Sequence, residues 1–388
     1  MALAGCVANG GEPDPNGQTS PPAGAIEPPA ANYTQLFEGL QLTQVVPLPN
    51  GDLLLAERKG ILHVLPAGSR TPVMVLNISD RVTVEAERGF SSLALHPDFE
   101  TNGMVFMAYT KSTDPKTQDP EEHPGFSELT RYHVDPKNVR GPWERVDVLM
   151  RLDWERYFHN TADLKFGPDG MLYFGLADGS KDRMEAQNLR SLNGSILRLD
   201  VDEAPGYKIP ADNPFVNQAG ARPEIFLYGL RNPWRMDFDP GTGDLYIAHS
   251  GESSFEGVHL FPGTGNSPRN LGWPYLEMGH PFEEYVLPSG LETNLPIVAY
   301  DRRPDGAGCA IIGGTIYEGD LFPTLRGQFV FADHCAGRLM FSQKVGDQWH
   351  LTTWLELKGQ YINSVDSDAD GEIVVSTLFG RVYRITGP

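Results

Sequence analysis

The chain has 388 residues with a formal net charge of −20, 40% hydrophobic residues, 42 glycines and 32 prolines. So acidic a chain repels nucleic acid and anionic membrane surfaces, which argues against both as binding partners. No apolar run reaches the roughly 18 residues that a membrane-spanning helix needs, and the turn-rich composition favours an all-β fold of many short strands. The acidity suits plain solubility, and equally a set of oxygen-lined pockets for calcium.

At the start, LAGC (3–6) has the form of a bacterial lipobox, which makes Cys6 a candidate lipidation site and the protein exported, periplasmic or cell-surface, with membrane attachment through that lipid. Residues 8–31 are rich in Gly, Pro, Asn and Ala and nearly devoid of large apolar side chains. Such a segment cannot offset its ordering entropy, so 1–31 reads as a lipobox-like start and disordered tether. If Cys6 carries lipid, Cys309 and Cys335 remain, either as a disulfide in an oxidising compartment or as two buried thiols.

From residue 32 onward one phrase recurs: an apolar segment, a turn built on Pro, Asp and Gly, then a strand. It appears as LPNGD (48–52), LHPDF with TNG (95–103), FGPDG (166–170), FDPGTGD (238–244), a divergent LRGQF (325–329) and DADGE (368–372). The Asn-Gly, Asp-Gly and Gly-Asp pairs supply the positive φ of tight hairpins. Roughly 60 residues per unit predicts a six-bladed β-propeller over 32–388, in which radial repetition protects sheet edges. A β-sandwich has no need of six copies of one phrase. Two long connections, at about 111–127 and 262–293, are expected as surface loops that shape a site.

Four polar segments fall at blade ends. HNTAD (159–163) offers His159 as a base near neutral pH. LRNPWR (230–235) presents the rigid donor fork of Arg231 beside the amide of Asn232. HSGESSFE (249–256) has carbonyls and carboxylates suited to calcium, and EAERGF (85–90) brings Glu87 forward.

With ERGFSSLALHPDF (87–99), HN (159–160), LKFGPDGMLY (164–173), LNGSILRLD (192–200), GLRNPW (229–234), NLGWP (270–274), GGTIYEG (313–319) and DHCAGR (333–338) in that order, the chain resembles the soluble glucose/sorbosone dehydrogenases, including the aldose sugar dehydrogenases. The resemblance implies pyrroloquinoline quinone (PQQ) and calcium as cofactors and oxidation of an aldose C1 hydroxyl to a lactone, with electrons passed to an unknown acceptor. It implies His159 as the base, Arg231 and Asn232 against the quinone oxygens, Glu87 beside cofactor and substrate, and the carbonyls of Gly251 and Glu252 as calcium ligands. It also implies a Cys309–Cys335 disulfide, found in a subset of relatives. The chain departs from the pattern at Phe158, Thr161 and Ala162 around the base, and at Glu256, Gly257 and His259 after the calcium turn. Where relatives grip the quinone carboxylates with Lys and Arg, this chain has Cys335, Tyr361 and Asn363, with Arg302, Arg303 and Arg338 as candidate substitutes. The same fold occurs in the hedgehog-interacting protein and its relatives, so the alternative is a non-catalytic carbohydrate- or protein-binding propeller. A calcium-dependent lactonase would need a ring of acid and amide side chains, which the sequence does not display.

Overall fold

The computed structural model describes residues 22–113, 124–156, 158–283, 285–303 and 308–388. Cys6 and most of the expected tether lie outside these residues, as does the centre of the 111–127 connection. The first strand, β1 (Asn32–Glu38), is set aside by the chain until the end. Blade 1 is β2 (Leu42–Pro47), β3 (Leu53–Glu57), β4 (Ile61–Leu65) and β5 (Val73–Asn77). Blade 2 is β6 (Phe90–Leu95), β7 (Met104–Ser112), β8 (Gly125–His133) and β9 (Glu144–Trp154). Blade 3 is β10 (Thr161–Phe166), β11 (Leu172–Leu176), β12 (Ser195–Leu199) and β13 (Ile225–Tyr228). Blade 4 is β14 (Asn232–Phe238), β15 (Leu245–Ser250) and β16 (Phe255–Phe261); a small hairpin of β17 (Leu276–Glu277) and β18 (His280–Pro281) intervenes before its outer strand, β19 (Val298–Asp301). Blade 5 is β20 (Ile311–Ile316), β21 (Phe329–Asp333), β22 (Arg338–Val345) and β23 (Gln348–Glu356). Blade 6 is β24 (Ile362–Ser367), β25 (Ile373–Thr377) and β26 (Arg381–Thr386), completed by β1.

Every blade is a four-stranded antiparallel meander, and the protein is a six-bladed β-propeller. The six inner strands, β2, β6, β10, β14, β20 and β24, neighbour one another in a closed ring. Burial explains the strand sequences. Middle strands such as LLLAE (β3), LYFGL (β11) and FVFAD (β21) are buried at every position, because each is pressed between adjacent blades. The outer strand β9, ERVDVLMRLDW, is half exposed and charged, as an edge must be. All six turn phrases are the first hairpin of their blade, between the inner and second strands.

Side chains of the inner strands clip each blade to the next. Gln44 Oε1 accepts the Leu93 N–H (2.7 Å), Ser92 Oγ that of Leu164 (3.1 Å) and Asp163 Oδ2 that of Met236 (3.0 Å). Asp237 Oδ2 accepts the Ile316 N–H (2.9 Å) and Asp366 Oδ2 that of Val45 (3.0 Å). The inner strands of blades 1, 2, 3, 4 and 6 thus satisfy backbone donors across the junctions.

Two expectations change. The tether is docked from Ile26 onward: Ile26 N–H donates to Gln343 Oε1 (2.6 Å), and Trp354 Nε1–H donates to the Pro29 carbonyl (3.0 Å). Side chains of blade 5 thereby satisfy backbone groups that composition alone leaves to water. The 111–127 connection is also shorter than expected, because β7 runs to Ser112 and β8 begins at Gly125.

Candidate functional site

The turn phrases all lie on one face of the ring. The opposite face carries the segments that enter the inner strands, and there Glu87, His159, Arg231, Asn232, Gly251 and Glu252 line a single axial cavity of about 380 Å³. Its floor is Arg235, which crosses the axis: its Nη2 donates to the carbonyls of Thr43 (2.7 Å) and Ser91 (3.0 Å), in blades 1 and 2. Gly313 lets β20 pack closely on the base of this side chain, since a Cβ there would lie 2.2 Å from Arg235 Cβ. A second, more polar cavity of about 580 Å³ lies outward and shares Glu87, His159, Arg231 and Glu252 with the first.

His159 stands where the cavities meet. Its backbone is left-handed (φ 51°), a conformation His tolerates better than most residues, and its N–H donates to Glu87 Oε2 (2.9 Å). Its Nδ1 lies 2.7 Å from Asp178 Oδ1, and Asp178 Oδ2 accepts the indole N–H of Trp273 (2.9 Å). Burial pushes the Asp178 carboxyl up, but His159, Arg231 and the Ser180 N–H outweigh it and hold it below the usual carboxylate range. A carboxylate only accepts, so Nδ1 carries the proton and Nε2 is left basic. Phe158 is 40% exposed and lines the outer cavity. The side chains of Thr161 and Ala162 lie outside the described residues.

Arg231 is fixed on two sides. Its Nε donates to Glu252 Oε2 (2.6 Å), and its N–H donates to His249 Nε2 (2.7 Å). Burial, with His259 and Arg231 nearby, holds His249 well below the ordinary histidine range, so this imidazole is neutral and free to accept. Arg183 also reaches Glu252 (3.1 Å), and the two guanidiniums hold that carboxylate below its usual range against the opposing effect of burial. The turn 251–254 folds around Glu277 of the β17–β18 hairpin, whose Oε1 accepts the N–H groups of Glu252, Ser253 and Ser254 at 2.7, 2.7 and 2.9 Å. Gly251 is required there, because a Cβ would lie 1.9 Å from the Phe255 carbonyl oxygen.

Residues 41–384 match the family model described as Glucose / Sorbosone dehydrogenase. The chain belongs to the glucose/sorbosone dehydrogenase family. Among relatives, it is 26% identical to aldose sugar dehydrogenase YliI of Escherichia coli, over 84% of each chain. It is 29% identical to the HIPL1 protein of Arabidopsis thaliana over 71% of this chain and 46% of that one, and 28% identical to human hedgehog-interacting protein over 87% and 49%. The chain thus spans about half the length of the HIPL1 protein. The soluble aldose sugar dehydrogenase of E. coli in its apo form shares the fold with a TM-score of 0.74 at 22% identity, over 92% of this chain and all of that one. The PQQ-bound aldose sugar dehydrogenase of Streptomyces coelicolor gives 0.71 at 21%, over 93% and 99%.

The two cofactors that the resemblance implies fare differently against these residues. A planar polyanion suits the inner cavity in size and charge: Arg231, Arg302, Arg58 and His334 line it, with the amides of Asn232 and Asn363. Of the three candidate substitutes for the missing basic partners, Arg302 lines the cavity. Arg303 is exposed and paired with Asp301, and Arg338 is paired with Glu356. Tyr361 lies 39% exposed against His334 and is not part of the cavity wall. The calcium expectation does not fit. The Glu252 carbonyl oxygen accepts Arg302 Nη2 at 2.5 Å, so a guanidinium already sits on it. Among the described residues, no three His, Cys, Asp or Glu side chains converge to hold a metal. Cys309, in the cavity wall, is disulfide-bonded to Cys335.

Asp178, Trp273, Arg58 and His334 were not singled out from sequence. Asp178 had a signal: with β10 paired to β11, a residue just past β11 falls across from one just ahead of β10. Trp273, nearly a hundred residues further along the chain, carried no such cue.

Proposed function

We propose that the chain is a sugar dehydrogenase that oxidises the C1 hydroxyl of an aldose to a lactone, with PQQ held in the inner cavity and the sugar in the outer one. The observation that carries this reading is His159, oriented by Asp178 at the junction of the two cavities. PQQ, when bound, supplies a two-electron acceptor. His159 Nε2 takes the hydroxyl proton, and Asp178 holds the ring and stabilises the imidazolium that forms. Glu87 fixes the backbone of His159 and presents carboxylate oxygens to the sugar. Arg231 and Asn232 would hold the quinone in the inner cavity, offering it positive charge and hydrogen-bond donors. The electron acceptor that follows is a small molecule or protein outside the site. The disulfide supports an exported location, since such bonds persist in oxidising compartments; anchoring through Cys6 is part of the same proposal.

The test is dye reduction by the apo-protein loaded with PQQ, with and without millimolar calcium, run against a panel of aldoses. Turnover that His159→Ala abolishes while the quinone stays bound is the expected result; absence of both quinone binding and turnover refutes the reading. In that event the second reading gains, a non-catalytic binding propeller. It is favoured by the match to the hedgehog-interacting protein across 87% of this chain.

A further inference from the structure

Arg302 does more than line the inner cavity. Its Nη1 donates to Glu256 Oε1 (2.7 Å) and to the Cys309 carbonyl, and its Nη2 to the Glu252 carbonyl (2.5 Å). These three oxygens come from three separate places: the turn after β15, the buried strand β16, and the entry to β20 that the Cys309–Cys335 bond pins. Glu256 is fully buried, and its other oxygen accepts the Ile311 N–H at 3.0 Å. Two carbonyls and a carboxylate gathered around one guanidinium are the kinds of oxygen that calcium uses. Here the set is already filled, by a cation that belongs to the chain and cannot be deprotonated. A divalent ion on the Glu252 carbonyl would meet the guanidinium at contact distance, where like charges in a poorly solvated wall repel strongly.

We propose that Arg302 is the resident cation of this cavity: it occupies the oxygen set a divalent ion would use, and the cavity therefore binds its planar anionic ligand without calcium. For PQQ as that ligand the inference rests on the reading above; for the oxygen set itself it rests on geometry alone. The guanidinium supplies both the charge and directed donors, and it stays in place whatever the metal supply outside the cell.

The test uses the full chain, stripped with EDTA. Calcium chloride alone is titrated calorimetrically and by thermal shift, and PQQ binding is followed by tryptophan quenching in excess EDTA and in millimolar calcium. The expected result is no saturable heat, no calcium-induced rise in Tm, and PQQ affinities that agree within about 2-fold. Arg302→Ala vacates the oxygens and is expected to gain a calcium-dependent rise in Tm, with an affinity of about 10⁻⁴–10⁻³ M, as in weak extracellular calcium modules. It should also lose at least about 10-fold in PQQ affinity in EDTA, the loss expected for one charge-assisted contact. Stoichiometric calcium binding by the wild type overturns the proposal, as does an Arg302→Ala protein that ignores calcium. Should Arg302→Ala fail to fold, Arg302→Lys keeps the charge, and calcium-independence in that variant supports the proposal while acquired calcium dependence overturns it. If PQQ binds under no condition, the quinone reading fails, while the calcium titration still judges Arg302.

Discussion

At the scale of single residues, the site depends on what holds each reactive atom rather than on the reactive atoms alone. His159 would be one of ten histidines without Asp178 to fix its tautomer and Trp273 to fix Asp178. Asp178→Asn leaves the shape but replaces the carboxylate with one oxygen, for which His159 Nδ1–H and the Trp273 indole N–H compete, and one NH2 donor, so the charge that keeps the proton on Nδ1 is lost. In the dye-reduction assay kcat is expected to fall by about 10²–10⁴ with little change in KM and no change in quinone binding. Trp273→Phe keeps the ring and removes one donor, for an expected loss of about 10-fold. An equal loss in KM and quinone affinity would instead mean a collapsed pocket. His159, Arg231, Asn232 and Glu87 were legible because each sits in a contiguous motif at a strand entry. Arg302 was only one of three candidate substitutes for the quinone's basic partners, and its contacts were not legible: they are the Glu252 and Cys309 carbonyls and the Glu256 carboxylate, and which arginine reaches them is a question of loop path.

At the scale of elements, the inner strands combine two duties: their entries carry the site and their bodies clip the blades together. Asp366 illustrates the cost of the second. Desolvation in the axial channel pushes its carboxyl up to about 6, with Ser364, Arg235, the Val45 N–H and Lys165 pulling it back only in part. The folded protein therefore holds this proton more tightly than the unfolded chain does. The penalty is absent below the unfolded carboxylate range near pH 4, grows as pH rises to about 6, and is complete above that. Asp366→Asn keeps an oxygen for the Val45 N–H and has no charge to desolvate. It is expected to stabilise the protein by on the order of 1–2 kcal/mol at pH 8 and by nothing at pH 4, as read from urea midpoints at the two pH values. A gain that does not depend on pH would refute the assignment. The turn phrases were legible because a tight hairpin needs positive φ within two or three adjacent residues. The clips were not, since one is Gln44, one Ser92 and three are the aspartates Asp163, Asp237 and Asp366, at unequal separations along the chain.

At the scale of the whole molecule, the ring closes by pairing its beginning with its end. β1 lies along β26 with Asn32 opposite Thr386 and Glu38 opposite Arg381, so blade 6 takes three strands from the C-terminus and one from the N-terminus. Phe37, 7% exposed, packs into the core between blades 6 and 1. Removing residues 1–38 strips that side chain and leaves the edge of β26 open. The truncated protein is expected to lose at least about 3 kcal/mol in urea unfolding and to self-associate in gel filtration. An unchanged midpoint would mean that the ring holds without its latch.

By itself the sequence determined the strand-turn-strand unit, its number of copies and the polar segments at the strand entries, because hairpin chemistry and blade-end motifs are written in neighbouring residues. Only the tertiary structure decided that those entries face one cavity, that the hairpin phrases lie on the far side from it, and that the segment read as a tether begins to dock at Ile26. It also decided that Arg302 meets the Glu252 carbonyl. Each of these rests on contacts between residues tens to hundreds of positions apart, whose partners are chosen by how six sheets pack around an axis, and no local pattern encodes that choice.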